Sequence, residues 1–201
     1  MYPQKKQEVN IMKIINDMKT GKHITKNIPQ VIKNFMIKRD ICLLLVLFLF
    51  KERLSSTLNL KIQDVFREYD ELKIRFIRKS KSKTVLVCPK CQEENKKDSK
   101  YCSYCGFSLD NAEKKIIGQE AKAIIKSISL SSSDLVFYIL DYIDFLEKND
   151  IQKDWPLFPS VKLYLEKGDI KIKVVKRPLK RIRVYKILKY YGITPAQLIK
   201  S

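Results

Sequence analysis

"ICLLLVLFLFKERLSSTLNLKIQDV" (Ile41–Val65) opens with ten apolar residues and turns polar at Lys51. A membrane span needs roughly 20 apolar residues to cross the hydrocarbon core, and this run falls well short. Arg39 and Asp40 close it on one side, and Lys51, Glu52 and Arg53 on the other. Its distance from the N-terminus argues against a signal peptide. The stretch therefore reads as a core helix, apolar all round, that ends at charges.

Working outward, the chain has 201 residues, 45% of them hydrophobic, enough for one sizeable domain or one domain with a small appendage. Lys and Arg number 41 against 22 Asp and Glu, a net charge of +19 with a pI near 9.7. Such an excess calls for a polyanionic partner, nucleic acid or an acidic membrane surface. No long apolar segment, lipidation signal or targeting stretch supports the membrane. The expected partner is double-stranded DNA, and the expected location is cytoplasmic and DNA-associated. From Trp155 to Ser201 there are 12 basic and 2 acidic residues, which makes this end the expected backbone-contacting surface.

Apolar spacing predicts a helix over 8–18, with Val9, Met12, Ile15 and Met18 on one side and Gly21 after its end. Asn27 and Pro29 suggest the cap and first turn of a second helix through Phe35 and beyond. His23, the one histidine, falls in the connector "GKHITKN" and is expected to be solvated there. "SSTLNL" predicts a short helix. "ELKIRFIRKSKSKTVLV" (Glu71–Val87) predicts a two-stranded hairpin with a very basic tip, Arg78 to Lys83. Helices are expected near 112–125, from Leu135 through Leu146, and near 179–191, with a strand over "DIKIKVV" (169–175). Arg183, Lys186 and Lys189 fall opposite the apolar side of that last helix. With Arg78, Lys79 and Lys83 of the hairpin tip, they form the expected DNA-binding set.

"CPKCQEENKKDSKYCSYCG" (Cys88–Gly106) is C-x2-C-x10-C-x2-C. Each C-x2-C pair puts two sulfurs on one tight turn, and two such turns complete a tetrahedral S4 shell for Zn2+. Disulfides are the alternative, but an intracellular nucleic-acid binder sits in a reducing compartment. Cys88, Cys91, Cys102 and Cys105 are thus the expected ligands of a structural zinc ion, with no position left for water. The fifth cysteine, Cys42, lies inside the apolar run and reads as core packing. The segment resembles an archaeal-type zinc ribbon.

The segments around the ribbon resemble the catalytic domain of tyrosine recombinases, the phage-integrase and Xer-like family. "RDICLLLVLFLFKERLSSTLNLKIQDV" is similar to that family's first box, in which an apolar helix runs into "TGLRxSELLxLxxxDI". The resemblance puts Arg53 in place of the catalytic arginine and Ser55 in place of its serine, with Lys51 and Glu52 where the family has Gly and Leu and Ser56 where it has Glu. It also implies a catalytic lysine in the hairpin turn, from among Lys79, Lys81 and Lys83, with Lys81 the choice. "LSSSDLVFYILDYIDFLEKND…PLFPS" resembles "LSxELxxLLxxYL…PLFPS". The second box departs from the family. Where it reads "TPHxLRHS", this chain reads "TPAQLIKS", so Ala196 and Ile199 replace His and Arg, and Lys200 the next His. Tyr185, Tyr190 and Tyr191 precede that box and do not match the nucleophile.

The resulting expectation is a mixed α+β, mostly helical recombinase-like domain with a small β-hairpin or sheet. Its parts are an N-terminal helical segment (1–37), a first half (38–87), an inserted four-cysteine zinc ribbon (88–109) and a truncated second half (110–201). The resemblance implies a DNA-binding protein of archaeal mobile-element type, connected with DNA recombination and integration and inactive alone. Two alternatives stand beside it: a recombinase completed in trans by a partner chain, and a zinc-ribbon module for protein or RNA contact.

Overall fold

The computed structural model describes residues 9–24, 28–79, 83–117, 121–166 and 169–200, and of Lys79, Lys200 and 163–172 the backbone alone. Helix α1 (Ile11–Lys19) is capped by the Asn10 side chain, which accepts from the Lys13 amide at 3.0 Å. It buries Ile11, Ile14, Ile15 and Met18. Ile15 and Met18 lie on the expected buried face, but Met12 is exposed and Ile11 and Ile14 are buried instead. Gly21 ends the turn after it at φ +65°, and a Cβ there would lie 2.5 Å from the Lys33 side chain.

The two helices expected on either side of residue 40 are one. Gln30–Phe50 contains neither glycine nor proline and forms the 21-residue helix α2. Arg39 and Asp40 do not interrupt it, because they are paired and buried within it, at 1% and 2% exposure. Helix α3 (Leu54–Leu58) follows. Strand β1 (Val65–Glu68) then turns through Tyr69, at φ 53°, into β2 (Glu71–Lys79).

The expected hairpin of Glu71–Val87 does not form among the described residues. Strand β3 (Lys83–Val87) pairs instead with β4 (Glu94–Lys96) and β5 (Glu113–Ile117), whereas β2 lies between β1 and β6 (Ala121–Ser129). The helix expected near 112–125 is replaced by β5 and β6. Its β-branched pairs, Ile116–Ile117 and Ile124–Ile125, suit strands, and the open edges of β3 and β2 supply the pairing.

Helix α4 (Leu135–Lys148) packs on α2, and the exposed Lys38–Asp141 ion pair joins the two. Tyr142 is fully buried, donates its hydroxyl to the Leu157 carbonyl at 2.8 Å and stacks on Phe158. Strand β7 (Pro159–Glu166), missed in the sequence, pairs antiparallel with β8 (Asp169–Pro178), which extends beyond the expected strand at its C-terminal end. Helices α5 (Arg181–Tyr190) and α6 (Pro195–Lys200) close the chain, α5 beside α3 and α6 against α2.

Two compact units result. One comprises 1–77 and 124–201 and holds the large apolar core around Cys42, Leu43, Leu44, Leu45, Val46 and Leu47. The other is 78–123, with a small core of Leu86, Cys88, Cys102 and Leu109. Among the described residues no helix is long and apolar enough to cross a membrane.

Candidate metal centre and nucleic-acid interface

Two matching turns build the metal centre. The Gln92 amide donates to the Cys88 carbonyl at 2.9 Å, and the Gly106 amide to the Cys102 carbonyl at 3.0 Å. The residue closing each turn is left-handed, Gln92 at φ 62° and Gly106 at φ 70°. Gly106 takes that conformation freely and Gln92 does not. The turns bring Cys88, Cys91, Cys102 and Cys105 together, with all four sulfurs within 4.8 Å of one another. Cys88 and Cys105 Sγ are 3.6 Å apart, and Cys91 and Cys102 Sγ 3.5 Å. A disulfide would need about 2.05 Å. Zn–S bonds of about 2.3 Å set tetrahedral sulfur–sulfur separations of roughly 3.8 Å, so the shell has the size of a zinc ion.

Residues 87–109 match the family model of a zinc-ribbon domain. The centre is a structural Zn2+ site. No curated protein and no solved structure matches the chain. The likeness of the flanking segments to recombinases has no counterpart in these comparisons.

Local dipoles in the ribbon are set for thiolates. Amides of Cys105 and Tyr104 aim at Cys102 and push its thiol down to about 6 against burial. Burial raises Cys88, but the amides of Cys91 and Lys90 outweigh it and the net direction is down. The Glu93 amide favours a Cys91 thiolate, yet burial and the neighbouring sulfurs push Cys91 up to about 12. Four thiolates at this spacing repel one another, and a dication removes that conflict. Asn95, which sequence reading missed, braces the shell. It is buried, lies 3.5 Å from Cys102 Sγ through its amide nitrogen, and accepts from the Ser103 amide at 2.8 Å. Its place in an otherwise charged, exposed strand was the available signal.

Arg53 occupies the position before α3 without a side-chain cap bond, and it is exposed. Lys51 and Glu52, two of the three departures from the family box, are each accommodated; the third, Ser56, is buried. Lys51 is left-handed at φ 51°, the conformation a glycine takes at no cost. Glu52 is fully buried where the family has Leu, and Lys126 Nζ lies 3.0 Å from its carboxylate. Lys81, the choice for the catalytic lysine, lies outside the described residues, and the hairpin turn assumed for it is not formed by β2 and β3. Arg78 and Lys79 end β2, and Lys83 begins β3, exposed. Ala196 is exposed on α6 and Ile199 half-buried.

On α5, Lys186 and Lys189 are exposed and Arg183 half-buried, while Val184, Ile187 and Leu188 face the core. Arg183, Lys186 and Lys189 have no acidic partner among the described residues.

His23 is not solvated. Its side chain is 2% exposed, with Nε2 3.1 Å from Asp40 Oδ2 and Nδ1 2.6 Å from the Tyr191 hydroxyl. A carboxylate only accepts, so Nε2 carries a proton. Arg39 completes the network, donating to Asp40 from Nε at 2.8 Å and to the Pro159 carbonyl at 3.0 Å. The partners lie far away in sequence, which is why the connector reads as a loop on its own.

Proposed function

We propose that this chain is a DNA-binding protein with a tyrosine-recombinase-like body, which grips duplex backbone through its basic surfaces and does not transfer strands alone. The observation that carries the reading is the C-terminal charge. Twelve basic residues face two acidic ones from Trp155 onward, and α5 presents Lys186 and Lys189 to solvent with no carboxylate beside them among the described residues. The left-handed Lys51 and the lysine-compensated Glu52, at two of the three departures from the family box, support the recombinase-like part of the reading.

Strand transfer needs a tyrosine to attack phosphorus and preorganised donors for the charge that builds on its oxygens. Removing one such donor costs about 2.7–4 kcal/mol in comparable oxyanion sites. Ala196 and Ile199 supply neither an acid–base group nor a guanidinium. Arg53 can hold a phosphate, but ground-state grip alone does not accelerate the chemistry.

Two experiments test the proposal. Reversing Arg183, Lys186 and Lys189 to Glu is expected to weaken duplex binding and flatten its salt dependence, by about 0.9 in the log–log slope for each phosphate no longer neutralised. Unchanged affinity at every salt concentration removes this face from the interface. On a nicked suicide substrate the chain alone is expected to give no covalent protein–DNA band. A band that disappears in Arg53→Ala would mean a tyrosine here is a working nucleophile. One that needs a second polypeptide favours completion in trans.

A second reading, a ribbon that binds protein or RNA, draws on the exposed aromatics Tyr101, Tyr104 and Phe107 of the zinc-ribbon segment. A preference for single-stranded RNA over duplex DNA, abolished in Tyr104→Ala, would replace the first reading.

A further inference from the structure

The base of the β7–β8 hairpin and the start of α5 enclose a half-open groove of about 800 Å³. Its walls are apolar, formed by Ile28, Met36, Val161, Val175, Leu179 and Ile182. Its charge is all of one sign. Lys162, Arg177 and Lys180 stand exposed on the rim and Arg183 is half-buried, and among the described residues none has an acidic partner. Arg39 also lines the groove, 1% exposed, its guanidinium held by Asp40 and by the Pro159 carbonyl. That pairing neutralises Arg39 and keeps it beneath the groove floor, so the cations open to a ligand are those of the rim.

The start of α5 sharpens the case. A helix N-terminus carries partial positive charge and favours acidic neighbours. The first turn of α5 has none, the N-cap Lys180 makes no side-chain cap bond, and Arg181 and Arg183 occupy that turn. Cations crowd the end of the helix where they are least stable. Local rules broken in this way mark places where function outweighs stability.

We infer that this groove takes a nucleotide from an unpaired strand, its phosphate among the rim cations and its base against the apolar walls. The inference rests on the DNA-binding reading and deepens it. The backbone of an intact duplex presents phosphates but no apolar face to fill a concave site, whereas a splayed base has one. The volume also falls within the range of pockets that enclose small organic ligands.

The test compares, by fluorescence anisotropy, blunt duplex with the same duplex carrying a short single-stranded overhang. Wild type is expected to favour the overhang by roughly tenfold, the gain one well-held base supplies. Ile182→Asp puts a carboxylate in the first turn of α5. It is expected to hold or raise thermal stability by complementing the helix dipole, while abolishing the overhang preference. Lys162→Glu with Arg177→Glu should abolish it too. Lys186→Glu with Lys189→Glu, outside the groove, should weaken both DNAs and leave the preference intact. If wild type binds neither DNA, the DNA-binding reading itself fails; if that last variant leaves blunt-duplex binding untouched, α5 is removed from the duplex interface whatever the groove does. No overhang preference in wild type, or a preference that survives Ile182→Asp, overturns the groove assignment. Groove-dependent binding of dAMP alone, without an overhang preference, overturns the strand as occupant in favour of a free nucleotide.

Discussion

The two units of this chain are held together by different physics. The larger buries a contiguous apolar cluster around α2, where Leu43, Leu44, Leu45, Val46 and Leu47 are all at most 1% exposed. The smaller has two leucines and two cysteines as its buried core. Burying a leucine contributes about 1.5–3 kcal/mol, so a core of that size is too small to order the strands around it. Four converging sulfurs take the place of the missing apolar area. A metal substitutes for a core where a short chain segment cannot make one.

Zinc removal breaks the comparison most directly. Structural zinc sites contribute about 10–16 kcal/mol at neutral pH, so chelation is expected to unfold 78–123 while leaving the larger unit folded. Hydrogen exchange with and without chelator checks it: strands β3 to β5 should lose protection and α2 should keep it. Elemental analysis is expected to give one zinc per chain, absent in Cys102→Ser. Zinc-free protein containing a disulfide would refute the site.

A smaller effect is expected at the charged network of Arg39, Asp40 and His23 in the apolar core. Asp40→Ala leaves the buried Arg39 without its counter-charge, which costs about 3–5 kcal/mol, read as a lower unfolding midpoint in denaturant. The pH dependence has a definite sign. Burial pushes the Asp40 carboxyl up, but the Arg39 guanidinium and the His23 hydrogen bond outweigh it and hold it below its ordinary value. The unfolded chain therefore takes up a proton first. The contribution of Asp40 is present above about pH 4 and is lost as pH falls through the depressed folded value. In Asp40→Ala that part of the acid sensitivity should disappear.

Tyr142→Phe removes the hydroxyl that meets the Leu157 carbonyl inside the core, and should cost about 1–3 kcal/mol. The smallest effect is expected at Asn10→Ala, which deletes the cap of α1 at a cost of about 1 kcal/mol. Neither substitution should alter zinc content. A change in metal retention from either would show that the two units are not energetically separate.

Legibility in the sequence follows the same division. The ribbon could be read completely for its ligands, because C-x2-C spacing encodes the site within a few residues. The larger unit was legible where periodicity is local, in α4 and α5. It was not legible where distant partners decide. Arg39 and Asp40 read as the end of a helix, since nothing nearby shows that they satisfy each other along with His23. Ile116 to Ile125 read as a helix, since two short apolar clusters fit either period until strand edges become available. His23 read as solvated because Asp40 and Tyr191 are 17 and 168 residues away. Asn95 was missed because its partners, Cys102 and Ser103, lie in the other half of the ribbon.

The order of the sheet β1–β2–β6 has a consequence in chain entropy. Strands β2 and β6 are neighbours, yet everything from β3 to β5 lies between them in sequence. Pairing them closes a long loop, whose entropic cost grows with its flexible length at about 0.6 kcal/mol per doubling. With zinc bound, most of that loop is already fixed, and the tether is short. Without zinc the same two strands must find each other across a slack chain. The metal thus shortens the search between two strands that supply none of its ligands.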